Sequence, residues 1–169
     1  DYQYVGFGGL SFTDFKLFHK ELNIDQMVSI EAGDDIKIER LNFNKPYSCI
    51  EIRNGKSTEE LTHVDLSKKS IVWLDYDGVL QEYFFDDISY TVGKLLPGSV
   101  FVLSCNASLM KAKGQPYTFD EFSKKYGVHL PINIDQNCCI GINSATTLMR
   151  MFRQSCESTI NERNQALDK

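Results

Sequence analysis

Short apolar runs that alternate with helical patterns are the feature that most constrains what this chain can fold into. Each run has at most the length of a buried strand and is far too short to cross a bilayer. The segments between the runs carry apolar residues at spacings of three and four, as amphipathic helices do. Strands separated by helices pair in parallel, so we predict an α/β fold, a mostly parallel sheet with helices on both faces. The first predicted strand ends at residues 4–5, and the others are residues 27–30, 48–52, 70–78 and a fifth within 97–105.

A glycine-rich loop follows the first predicted strand. The segment "YVGFGG" places Gly6, Gly8 and Gly9 between that strand and a phenylalanine-rich helix. Glycine has no side chain, so the backbone amides of such a loop can approach a ligand closely. Glu31 closes the second predicted strand, where a carboxylate can accept hydrogen bonds from the two ribose hydroxyls of a nucleoside. Loop and acid together predict a cofactor site, although the glycines could also serve a tight turn and Glu31 could be a solvated strand-end acid.

Two acids end the fourth predicted strand in "SIVWLDYDGVL". Asp75 and Asp77 match the opening motif of haloacid-dehalogenase-type phosphatases, and Ser104 with Lys111 or Lys113 resembles the later motifs. That chemistry also needs a downstream acidic pair for magnesium, and none ends an apolar strand after Ser104. Three strands precede this one, whereas such phosphatases place it first. The phosphatase is therefore our third hypothesis, and Asp75 and Asp77 could also be turn-forming acids.

Five segments in order resemble the successive motifs of class I S-adenosylmethionine-dependent methyltransferases. The resemblance covers about residues 4–107 of a chain that we treat as one domain, 1–169, and residues 108–169 are less regular. It implies a Rossmann-like sheet and S-adenosylmethionine as the cofactor. It also implies that Gly6, Gly8 and Gly9 pass under the methionine part of the cofactor, that Glu31 binds its ribose, and that Asp75, followed by Asp77, is the first candidate for catalysis. The five segments are "YVGFGG", "FTDFKLFHKEL", "MVSIEA", "WLDYDG" and "GSVFVLSCNA".

The chain departs from that family pattern in its first motif. Tyr4 stands where an acid commonly precedes the first glycine, and the glycine pattern is shortened to GxGG. A noncatalytic methyltransferase-like domain for assembly or regulation is therefore our second hypothesis. NAD-dependent dehydrogenases share the loop and the acid, but Ser11 stands where their GxGxxG motif needs glycine. The methyl acceptor cannot be read from the sequence.

Composition and net charge indicate which partners, metals and cellular compartment suit this chain. A net charge of -5 does not favour nonspecific nucleic-acid binding. Five cysteines without CxxC spacing predict a reducing cytoplasm, and three scattered histidines predict no metal site. The chain starts with Asp1, which suggests a segment of a longer protein. The apolar helix predicted near residues 148–160 could pack on a protein partner or on a second copy of the chain.

Overall fold

The computed structural model of the protein describes residues 1–111 and 114–167, so Lys113 of the phosphatase hypothesis lies outside the described residues. Within these residues, strands and helices alternate along most of the chain. The strands are β1 (Gln3–Gly6), β2 (Met27–Glu31), β3 (Ile50–Asn54), β4 (Ser70–Val79) and β5 (Val100–Asn106). The helices are α1 (Thr13–Leu22), α2 (Asp35–Asn44), α3 (Ser57–Glu60), α4 (Tyr83–Lys94), α5 (Phe119–Tyr126) and α6 (Ile142–Leu167).

The five strands form one parallel sheet in the order β3-β2-β1-β4-β5. All four residues of β1 are buried, as expected for a central strand that is covered on both faces. At its end, Gly6 is in register with Ser29 of β2 on one side and with Trp73 of β4 on the other. The predicted Rossmann-like α/β fold is confirmed. The chain leaves β1 toward β2 and later returns to β4 on the opposite side of β1, so β1 and β4 flank the topological switch point.

The chain divides into two compact units. The first comprises Asp1–Asp75 and Lys94–Ser104. Its core is a cluster in which Tyr4 packs edge-on against Phe15 and Phe18, with ring centroids 4.7 and 4.6 Å apart. The spacing of Phe12, Phe15, Phe18 and Leu22 predicts one apolar face that packs in the core. Phe12, the N-cap residue of α1, and Phe15 within the helix are fully buried, as predicted. Leu22 is instead 53% exposed because α1 ends there.

The second unit comprises Tyr76–Gly93 and Cys105–Lys169. Phe85 of α4 stacks on His129 with ring centroids 3.7 Å apart, and the hydroxyl of Tyr126 donates to the carbonyl of Leu80 over 3.0 Å. Burial lowers the pKa of His129, because its imidazole loses water on that ring face. No helix in the described residues is long and apolar enough to span a membrane.

Two local predictions near β3 are wrong. The strand begins at Ile50, not Ser48, because it pairs with β2 from Met27↔Ile50 onward and the residues before Ile50 form a turn. The spacing of Ser57 and Glu60 predicts a capping box, which does not form. Ser57 is the first residue of α3 and Lys56 occupies the N-cap position, and within the described residues the Lys56 side chain makes no cap hydrogen bond.

Predictions for the last third are partly wrong as well. The segment "VHLPINI" at residues 128–134 predicts an extended stretch, but Gly127–His129 form a 3-10 helix and no strand follows within the described part of the chain. Val128 is 88% exposed, so its apolar side chain covers no sheet. Gly127 ends α5 as predicted, although with an ordinary right-handed φ of −55°. Helix α6 extends seven residues beyond Ile160, to Leu167.

Candidate functional site

The predicted site residues of the first unit meet where β1 ends. Gly6 is the last residue of β1 and pairs with Trp73. Asp75 follows Trp73 by two residues, so β4 extends past β1 and presents Asp75 beyond its end. Residues two apart on a strand share one face, which puts Trp73 and Asp75 on the same side of β4. Ligands of open α/β sheets bind at such a carboxyl edge beside the switch point.

Gly6 at the end of β1 and Gly8 and Gly9 in the loop after it are glycines for different structural reasons. A Cβ at Gly6 would lie 2.5 Å from the Tyr4 hydroxyl, and a Cβ at Gly8 would lie 2.6 Å from the ring of Phe12. Both positions are therefore required by packing. Gly9 has φ +53°, and a Cβ there would meet no atom of the described residues within 4 Å. Among the three, Gly9 is the residue whose open side is available to a ligand.

Glu31 is buried beside this loop. Its Oε1 accepts hydrogen bonds from the Gly9 amide over 2.8 Å and from the Ser29 hydroxyl over 3.2 Å. Ser29 and Glu31 share one face of β2, and the Ser29 hydroxyl also accepts from the Gly8 amide over 3.1 Å. The second oxygen, Oε2, lies 3.5 Å from the ammonium of Lys37. Glu31 thus holds the glycine loop with one oxygen and pairs with α2 through the other.

Asn54 ends β3 beside the loop that follows β2. In the orientation that satisfies both ends of its amide, its nitrogen donates to the carbonyls of Glu31 and Gly33 over 3.0 and 3.2 Å. The resemblance to methyltransferases implies that Asn54 or a neighbouring residue lies near the adenine, and these bonds assign Asn54 a role in fixing the loop beside Glu31. A contact with a nucleobase stays a prediction.

Asp14 is a functional candidate that the sequence analysis missed. It lies in the first turn of α1, where the helix dipole favours a negative charge, and it accepts a hydrogen bond from the hydroxyl of the fully buried Tyr4. Tyr4 occupies the position where the first family motif commonly has an acid. The helix therefore brings a carboxylate to the place where the strand lacks one. In the sequence, the sign of this role for Asp14 is its place as an acid in the first turn of a phenylalanine-rich helix.

The charges of this group influence one another. Burial raises the pKa of Asp14, and the nearby charge of Asp75 raises it further, although hydrogen bonds from Tyr4 and from the Phe15 amide act in the opposite direction. Burial, the Asp14 hydrogen bond and both carboxylates raise the pKa of the Tyr4 hydroxyl. Tyr4 therefore remains a neutral donor, and the two carboxylates are close enough to repel each other.

Asp75 is held from the neighbouring strand. The Ser104 hydroxyl of β5 donates to Oδ1 of Asp75 and accepts from Nε1 of Trp73 over 3.0 Å. Asp77 follows on the same face of β4 and is exposed. Neither aspartate forms a turn, because β4 continues to Val79.

The structure brings together Asp75 and Ser104, two residues that the phosphatase hypothesis also uses. Within residues 1–111 and 114–167, however, no group of three His, Cys, Asp or Glu side chains is arranged to hold a metal ion. Cys138 and Cys139 are buried with their sulfurs 3.6 Å apart, and burial raises the pKa of the Cys139 thiol to about 12. No observation in the described residues adds the acidic pair that the aspartyl-phosphate mechanism needs.

The parallel sheet, its strand order and the loop and acids at its carboxyl edge define a Rossmann-like protein with a candidate ligand site at that edge. The model of the family described as "Putative O-methyltransferase" matches residues 1–169. The chain belongs to this family, which confirms the resemblance found in the sequence. No curated protein matches the chain.

Proposed function

We propose that this chain binds S-adenosylmethionine at the carboxyl edge between β1 and β4 and transfers its methyl group to an oxygen of an acceptor. The observation that carries the proposal is the position of Asp14, which supplies a carboxylate beside Tyr4, where the sequence lacks the acid of the first family motif. With Asp14 included, the edge has a glycine loop, the acid Glu31 at the end of β2, and the two further acids Asp14 and Asp75.

The residues present fit the chemistry of this cofactor. The donor carries positive charge on its ammonium and its sulfonium, and Asp14 and Asp75 are two neighbouring carboxylates whose repulsion a cation would relieve. Glu31 is suited to accept hydrogen bonds from ribose hydroxyls, provided that Lys37 yields Oε2. Lys37 is 41% exposed and can move into solvent at small cost. Gly9 leaves the loop open on its free side.

The protein contributes binding, alignment and proton removal to the proposed reaction. When bound, the cofactor supplies an electrophilic methyl group on sulfur. Glu31 and the loop orient the nucleoside, and alignment of the acceptor oxygen with the methyl group lowers the entropic part of the barrier. Asp75 is the first candidate to accept the proton of an acceptor hydroxyl, and Asp77 is the second.

Calorimetric titration with S-adenosylhomocysteine tests the proposal in the free protein. We expect micromolar binding in the wild type and a loss of about tenfold, or about 1.4 kcal/mol, in Glu31→Ala. Glu51→Ala is the matched control, because Glu51 is an exposed acid on the adjacent strand with its own ion pair to Arg53. It should bind like the wild type.

The outcomes separate the competing hypotheses. Binding that Glu31→Ala weakens supports the cofactor site and justifies a search for the acceptor with S-adenosylmethionine labelled in its methyl group. Binding without transfer to any acceptor would favour the noncatalytic domain. An absence of heat with S-adenosylhomocysteine would refute the proposal, and heat with magnesium and a phosphate analogue instead would favour the phosphatase.

A further inference from the structure

Ser104 connects Trp73 to Asp75 through two hydrogen bonds. The indole Nε1 of Trp73 donates to the Ser104 Oγ over 3.0 Å, and the same Oγ donates to Oδ1 of Asp75. Trp73 and Asp75 share one face of β4, and Ser104 reaches both from the adjacent strand β5. One hydroxyl therefore contacts two side chains that flank the end of β1.

The direction of this chain of hydrogen bonds is fixed by the chemistry of its members. An indole nitrogen can only donate, and an ionised carboxylate can only accept. A hydroxyl has one proton, so Ser104 accepts from Trp73 and directs its own proton to Asp75. A rotation of that proton elsewhere would give up a charge-assisted bond, which is about twice as strong as a neutral one. The hydrogen bond from Trp73 thus fixes the rotation of the Ser104 hydroxyl.

We propose that Ser104, oriented by Trp73, is a positioning residue that holds Asp75 by Oδ1 and keeps Oδ2 for the ligand. Within the described part of the chain, Oδ2 accepts no hydrogen bond, whereas Oδ1 accepts that of Ser104. The inference rests on the proposed function, because it assigns the way in which that site presents its acid. Ser104 and Trp73 can position Asp75 without touching the cofactor.

A double-mutant cycle tests whether Ser104 acts through Asp75. The affinity for S-adenosylhomocysteine is measured by calorimetry in the wild type, Ser104→Ala, Asp75→Ala and the double variant. We expect each single variant to bind about tenfold more weakly, since each loses a hydrogen bond to a charged group or the charge itself. The double variant should bind no more weakly than Asp75→Ala.

Two further variants report on the mechanism of positioning. Ser104→Thr keeps the hydroxyl on a β-branched side chain that suits a strand, and it should restore binding to within about twofold of the wild type. Trp73 is the only tryptophan of the chain, so its fluorescence reports this bond directly. The emission maximum should shift in Ser104→Ala and remain in place in Ser104→Thr.

Several results would overturn the inference while the proposed function survives. These are wild-type affinity in Ser104→Ala, an effect of Ser104→Ala that persists undiminished without Asp75, or wild-type affinity in Asp75→Ala while Glu31→Ala is weakened. A wild-type protein that does not bind S-adenosylhomocysteine would remove the proposed function and this inference together. Circular dichroism and thermal melting of each variant distinguish lost positioning from lost folding.

Discussion

Substitution of Gly8 by alanine should destabilise the fold even though it adds a single methyl group. The new Cβ would lie 2.6 Å from Cδ1 of Phe12 and 2.7 Å from Oγ of Ser29. Phe12 is fully buried in the core cluster, so its ring cannot move aside freely. Overpacking of this kind costs about 1–3 kcal/mol, and a shifted loop would also strain the bond between the Gly8 amide and Ser29.

The expected change in the free energy of unfolding is the difference between this overpacking cost and a gain from the unfolded chain. Alanine restricts the unfolded chain and returns about 0.4–1 kcal/mol, which leaves a loss of about 1–2 kcal/mol in the free energy of unfolding. For a chain of this length, that loss corresponds to a Tm lower by about 2–8 °C. Thermal melting followed by circular dichroism measures the shift.

Two other glycines serve as controls. Within the described residues, a Cβ at Gly78 meets no atom within 4 Å and Gly78 has no left-handed φ, so Gly78→Ala should melt about 1–4 °C above the wild type from restriction of the unfolded chain. Gly9→Ala has equal space but a φ of +53°, so backbone strain of about 1–2 kcal/mol should offset that gain and lower its Tm relative to Gly78→Ala. Its methyl group would also project into the open side of the loop and weaken S-adenosylhomocysteine binding. A Gly8→Ala variant that melts within 1 °C of the wild type would refute this reasoning about packing.

Three further predictions concern an ion pair, a buried acid and a helix cap. Lys37→Met should tighten S-adenosylhomocysteine binding by up to about fivefold, because it frees Oε2 of Glu31 from a partly exposed ion pair; weaker binding in calorimetry would contradict this. Because burial raises the pKa of Asp14 above its ordinary value of 3.8, its ionisation costs stability as the pH rises through that window. Urea unfolding between pH 4 and 7 should therefore increasingly favour Asp14→Asn over the wild type, and a pH-independent difference would count against it. Thr118→Ala should lose about 1 kcal/mol with its capping box, and a variant that melts like the wild type would be the opposite result.

The sequence predicts the sheet well because its strands are short apolar runs bounded by helical patterns. Strands β1, β2 and β4 and the acid Glu31 lie where these patterns predict. The start of β3 is wrong because pairing with β2, and not local composition, decides where that strand begins. The spacing of Ser57 and Glu60 fits a capping box by letters alone, and only the backbone decides which residue becomes the N-cap.

The site is less predictable than the sheet, because it depends on which side chains fold together. Tyr4 signals a missing acid, but nothing in its own segment indicates that Asp14 approaches its hydroxyl from the next helix. The sequence indicates Ser104 only through the phosphatase hypothesis, and the bond of Ser104 to Trp73 depends on the pairing of β4 with β5. Lys37 gave no signal, since a lysine in a surface helix is ordinary. The sequence thus locates the edge of the sheet, and the structure supplies its polar contacts.

Hydrogen–deuterium exchange with and without S-adenosylhomocysteine tests the central claim most directly, because it reports both binding and its location. We predict slower exchange in peptides that contain the loop at residues 6–12, the end of β2 near Glu31 and residues 73–77 of β4. Glu31→Ala should require a higher ligand concentration for the same protection. Protection confined to residues 114–167, or no protection at saturating ligand, would contradict a methyl-donor site at the carboxyl edge between β1 and β4.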